Sequence, residues 1–306
     1  MRSLLVLWVG WLAAAMAWSA PVEVDVVTSQ HQFLPDESLV VGVRIANLSG
    51  QTLHFGKDDD WVSFFIEARD RSMSVREFGK VPAKGEFAVE SSTRATRRFD
   101  LAPYFSITQP GRYRITATVR IQEWNEERTS PPLEVDITGG TTLWEQEIGV
   151  HKTPGTQAGP PEVRKYMLQQ ARLIDELKLY LRVTDVREAR VYRVVPIDRL
   201  VSFSKPEVQI DRQSNLHVLH QTGRRAFNYS VFDPDGVLVK RQQHEYDELT
   251  RSLPRLRADA DGNLTVSGGL RKLSPADVPP PAATPPPPPS PPSGVIPEPH
   301  AEPPKK

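Results

Sequence analysis

The chain has 306 residues and no cysteine, and its 38 Lys and Arg are balanced by 38 Asp and Glu. The missing thiols exclude disulfides, thiolate metal sites, a cysteine nucleophile and a lipidated cysteine. Formal neutrality gives no footing for nucleic-acid binding. The length is enough for two domains, each with its own core, so stability must come from packing.

Residues 1–19 are expected to be a signal peptide. Met1-Arg2 supplies a basic start, Leu4 to Ala15 an apolar run, and Ala15-Met16-Ala17 an A-x-A cleavage pattern, with cuts favoured after Ala17 or Ser19. No later segment has the roughly 20 apolar residues that a membrane span needs. The expectation is a periplasmic or extracellular protein with no transmembrane segment after cleavage.

Residues 20–138 carry apolar residues at every second position in short bursts, the pattern of half-buried strands. Leu39, Val41, Val43 and Ile45 alternate ahead of Asn47-Leu48-Ser49-Gly50; Ile115, Ala117 and Val119 alternate with Thr116, Thr118 and Arg120; Leu133, Val135 and Ile137 repeat the theme. About seven such strands in about 115 residues match a two-sheet sandwich. Phe33-Leu34-Pro35-Asp36-Glu37 with the strand after it, and Leu101 to Val119 around Pro110-Gly111-Arg112-Tyr113, resemble a bacterial immunoglobulin-like module of the tyrosine-corner type. The resemblance implies that the tyrosine hydroxyl bonds back across its own turn. It implies nothing about activity.

Residues 139–160 read as a linker holding one strand, Leu143 to Val150. In residues 161–272 a motif returns three times. Pro161-Glu162-Val163, Pro206-Glu207-Val208 and Pro254-Arg255-Leu256 open the units, and Lys178-Leu179-Tyr180-Leu181, Asn215-Leu216-His217-Val218 and Asn263-Leu264-Thr265-Val266 follow inside them. Ala189-x-x-Tyr192-x-Val194 and Ala226-x-x-Tyr229-x-Val231 keep the offset. Spacings of roughly 37 to 48 residues suit a four-stranded blade that buries its faces only against neighbours. The units resemble β-propeller blades of the Kelch or Asp-box kind without the signature residues of either. A helix over 161–176 competes with this reading, since Pro161 fits a first helical turn; the Pro-Glu-Val echo favours strands. The fold class is therefore all-β: a sandwich, then about two and a half blade-like repeats.

About two and a half blades cannot close a ring, because propellers use typically four to eight. Residues 20–140 carry about four excess acids and residues 141–272 about four excess bases. The sandwich is accordingly expected to cover one open face of the repeats. Residues 273–306 form a proline-rich tail with no hydrophobic pattern, expected to be disordered and extended.

No nucleophile elbow, phosphate loop or zinc helix occurs. His217 and His220 lie three apart in one predicted strand, which sends them to opposite faces and denies them a shared metal. His244 to Glu248 reads as a loop. Asp58-Asp59-Asp60 and Asp259-x-Asp261-x-Asn263 offer oxygen ligands, but a solvated loop and a hairpin turn explain them better. Asn47, Asn228 and Asn263 stand in glycosylation sequons. Trp61, Trp124 and Trp144 offer a sugar-stacking face or ordinary core. No catalytic, cofactor or metal residue is assigned. The functional expectation is an exported, non-catalytic binding or scaffold protein for a protein or glycan partner. The alternatives are a polysaccharide-acting enzyme with carboxylates in the cleft between the domains, or a subunit of an envelope assembly tethered by its tail.

Overall fold

The computed structural model describes residues 21–70, 73–150, 162–259, 262–274 and 277. The expected signal peptide and most of the proline-rich stretch lie outside them. Among the described residues the chain is all-β: 22 strands and one short 3-10 turn, Asp59–Trp61, in several separate sheets, with no closed barrel or propeller.

The first half contains β1 (Val22–Val27), β2 (Gln32–Phe33), β3 (Val40–Asn47), β4 (Leu53–Phe55), β5 (Val62–Ala68), β6 (Met73–Ser74), β7 (Phe87–Val89), β8 (Thr93–Asp100), β9 (Gly111–Ile121), β10 (Glu126–Thr129) and β11 (Leu133–Ile137). A three-stranded sheet, β1-β3-β8, faces a six-stranded one running β2-β11-β9-β5-β6, with β10 on β9. Their inner residues alternate as period-2 burial requires. Tyr113, Ile115, Ala117, Val119 and Ile121 of β9 point inward, against Val41, Val43 and Ile45 of β3. The Tyr113 hydroxyl donates to the carbonyl of Gln109 at 2.7 Å, four residues upstream, as its turn implies. Trp61 is buried in this core among Phe55, Phe87 and Phe99, with its indole N–H on the Ala83 carbonyl.

The second half opens with a four-stranded meander: β12 (Thr141–Val150), β13 (Glu162–Arg172), β14 (Leu177–Asp185) and β15 (Val191–Arg199). The helical alternative for 161–176 is absent, because β13 pairs residue by residue with β12 and β14 over its whole length. The strand in 139–160 is no isolated linker element: it is the outer strand of this sheet. A second meander follows: β16 (Glu207–Ile210), β17 (Leu216–Gln221), β18 (Ala226–Phe232) and β19 (Leu238–Glu245). Last come the hairpin β20 (Arg255–Ala258) with β21 (Leu264–Ser267), and β22 (Leu270–Lys272), which pairs with β19.

These sheets stack in layers. One face of β12–β15 meets β16–β19 through Leu179, Leu181 and Val183 on one side and Leu216, Val218 and Phe232 on the other. The far face of β16–β19 presents Leu219, Tyr229 and Val231 to Leu256, Leu264 and Val266 of the terminal hairpin. The opposite face of β12–β15 receives Leu34 of the first half, 1% exposed among Ala171, Tyr180 and Val194. Arg182 fixes that joint, donating to Asp36 at 2.7 Å and to the Pro35 carbonyl at 3.0 Å. The first half thus touches this sheet through Leu34 and the Pro35-Asp36 turn.

Candidate functional site

The aspartates of the hairpin loops are turn builders. Asp211 accepts from the backbone of Gln213 and Asn215, Asp233 from Asp235 and Val237, and Asp259 from Asn263, all at 2.8 to 2.9 Å. A side-chain oxygen that satisfies backbone N–H groups two to four residues on is the signature of an Asx turn. Asp58 caps the short turn through Asp60 N, Asp59 accepts from the backbone of Ala83 and Lys84, and Asp60 pairs with Lys80. Each carboxylate of that run serves a different partner. Among the described residues no group of three or more His, Asp and Glu is placed to hold a metal ion.

Both histidines of β17 are buried, and on opposite faces as the spacing requires. His217 bridges the Tyr229 hydroxyl at 2.7 Å and Asp211 at 3.1 Å. Burial pushes the Asp211 carboxyl up, but hydrogen bonds from Asn215, His217 and the turn backbone hold it below the usual carboxylate range. Burial also drives Tyr229 up to about 12, so it stays protonated. That set clamps a turn to the sheet. His220, 1% exposed, faces β15 and sits opposite Asn228; neither ring nitrogen has a partner at hydrogen-bond geometry. Burial drops its imidazole to about 4, with Asp198 opposing, Arg241 reinforcing and the nearby Arg199 backbone opposing.

One expectation changes, and two open readings close. His244 is no loop residue: it lies buried in β19, opposite Phe227, because that strand continues through Glu245. Asn47 and Asn228 are buried with their amides donating inward, to the Gln51 and Val89 carbonyls and to Asp198, so neither can carry a glycan. Trp61, Trp124 and Trp144 form no common face, since the first two pack on the first core and the third on the second.

The concave feature that combines both halves is a cleft of about 770 Å³. Asp36, Ser38 and Asp100 line one wall, and Tyr192, Arg193 and Pro196 of β15 line the other. β15 is the outer strand of its sheet, so the cleft runs along a strand edge. Its two carboxylates are engaged: Asp36 with Arg182, and Asp100 accepting from Ser38 Oγ at 2.7 Å and from the backbone of Leu39 and Ala102. Tyr192 is held in place by guanidinium groups, those of Arg164 and Arg190 lying 4.4 and 4.8 Å from its ring centre. Sequence reasoning placed a cleft between the domains without naming these residues. The two walls are roughly 90 to 160 positions apart along the chain, and no local period reports such a meeting.

No family profile and no curated protein matches the chain. Among solved structures, the crystal structure of Spo0M, the sporulation control protein of Bacillus subtilis, aligns over 58% of this chain and 90% of its own, at 9% identity and a TM-score of 0.27.

Proposed function

We propose that this is an exported binding or scaffold protein, built from an immunoglobulin-like sandwich and blade-like repeats, that takes up a protein or glycan partner in the cleft between them. The observation that carries this reading is the cleft itself: an aromatic ring, an arginine and two fixed carboxylates converge along a strand edge. Concave surfaces with a few oriented polar groups are the usual form of ligand sites. An open edge also offers unpaired backbone groups to an extended segment. Asp36 and Asp100 are locked as hydrogen-bonded acceptors, which suits them to orient a ligand.

Peptide and glycan arrays probed with the chain and with Ala189→Trp, which fills the cleft from an exposed lining position, test the reading. The expected result is a ligand class bound by the first and lost by the second. Binding that Ala189→Trp leaves intact, or none at all, would remove the cleft from the account.

A further inference from the structure

Loop tips gather at one end of the stacked sheets. The turn between β13 and β14 presents Ile174, the loop between β15 and β16 presents Phe203, and the loop after β19 presents Leu249. Their relative exposures are 77%, 106% and 94%. The register places all three at the same end. Arg172 pairs with Leu177, Lys178 with Arg199, Gln221 with Phe227, and Ala226 with Glu245, so each loop leaves its sheet in the same direction. Val201 N donates to the Gln221 carbonyl and Tyr246 N to that of Arg225, which tie the loops to one another.

Phe203 is held out under strain. It sits at φ 68° in a turn closed by Ser204 N on the Val201 carbonyl. A bulky residue in the left-handed region is an outlier whose cost points to function. A fully exposed aromatic ring adds a second cost, because it stays in water.

Between the tips lies a cavity of about 510 Å³ lined by Arg172, Arg199 and Arg224 together with Asp175 and Glu176. Arg172, Arg199, Lys205, Arg224 and Arg251 are exposed at this end and form no ion pair among the described residues. Of the acids there, Glu176 is paired with Lys178 and Glu248 with Arg225; Asp175, Asp198 and Asp247 remain against the five cations, with Asp198 held by Asn228 and Asp247 folded onto its own loop through Thr250 and the Leu249 backbone. The end is locally cationic although the chain is neutral.

We propose that this end docks on an anionic lipid bilayer, with Phe203, Ile174 and Leu249 entering the interfacial region and the arginines engaging headgroup phosphates. Apolar side chains on separate tips with cations between them suit a fluid surface, which takes each residue without a matched pit. A protein partner would have to supply a pit for each tip and acids for the cations between them. The geometry follows the rule for peripheral attachment, in which buried apolar area and attraction to anionic lipid add. This surface lies apart from the cleft and does not depend on what the cleft binds.

Residues 20–306, which keep every buried core residue, are sedimented with vesicles of phosphatidylcholine alone and of phosphatidylcholine mixed equally with phosphatidylglycerol. Binding is expected to the mixed vesicles and to fade with salt. Phe203→Asn should weaken it by at least about tenfold. It should not lower Tm, because the ring is fully exposed and asparagine tolerates this φ. Arg199→Gln with Arg224→Gln should weaken it by roughly twenty-five-fold, about fivefold for each charge. Equal binding to neutral vesicles, no sedimentation, or an unchanged Phe203→Asn variant would each overturn the proposal. A concentration-dependent dimer that Phe203→Asn abolishes, without vesicle binding, would assign the tips to a second copy of the chain.

Discussion

His220 makes a single residue responsible for much of the expected acid sensitivity. Its folded pKa, about 4, lies below the unfolded value near 6.5. The unfolded chain therefore binds more protons between those values, and stability rises with pH across the window. The contribution is intact above about pH 6.5 and falls away as pH drops toward 4, by about 3 kcal/mol in all. The groups that face the ring from the packed strands are Asp198 of β15, Asn228 of β18 and Arg241 of β19. Asp198 alone among them favours the cation. Urea unfolding followed from pH 7.5 to 4.5 should show this slope, and His220→Leu should flatten it. A residual slope of the same sign will remain from His244, which burial and Arg271 also push down. Replacing an unpartnered buried ring by an apolar one need not cost stability at neutral pH. An unaltered slope in the variant would show that the protons go elsewhere.

At the scale of elements, the stack is joined by single hydroxyls as well as by leucines. Tyr166 of β13 is fully buried and lies 2.9 Å from the Ser214 carbonyl and 3.0 Å from that of Asp233, so it bridges one sheet to two turns of the next. Tyr166→Phe keeps the ring and strands both carbonyls; a loss of about 1–3 kcal/mol is expected in chemical denaturation. A loss well below that would mean that water takes the hydroxyl's place. This joint also shows what the sequence could and could not reveal. The strands were legible because period-2 alternation and turn residues are local signals, and the matched segments Leu179 and Leu216 both fall on inner strands of consecutive meanders. The role of Asp259 was legible for the same reason, since an Asx turn is closed within five residues. His244 was misplaced because its strand carries Lys240, Arg241, Gln242 and Gln243 with no apolar alternation, and only pairing with β18 makes it a strand. The lining of the cleft, the Leu34 socket and the cluster around His220 were invisible, because each joins residues that meet only after the sheets have stacked.

For the whole molecule, the layers make each sheet depend on its neighbours, as in repeat proteins whose stability is a sum of unit and interface terms. The last interface is made by a hairpin of two four-residue strands. Ending the chain after Leu253 removes β20, β21 and β22 and uncovers Leu219, Tyr229 and Val231. A lower Tm and concentration-dependent aggregation are expected, measured by thermal scan and light scattering. An unchanged Tm with a monomeric profile would show that the hairpin is an appendage.

The outward side of that hairpin carries Arg255, Arg257, Thr265 and Ser267, all exposed, while Leu256, Leu264 and Val266 turn inward. Among the described residues, the outer side of that hairpin leaves no apolar side chain on which another molecule's sheet can settle. Open-faced sheets invite edge and face stacking into fibres, and hydrophilic side chains on an outer ribbon oppose it.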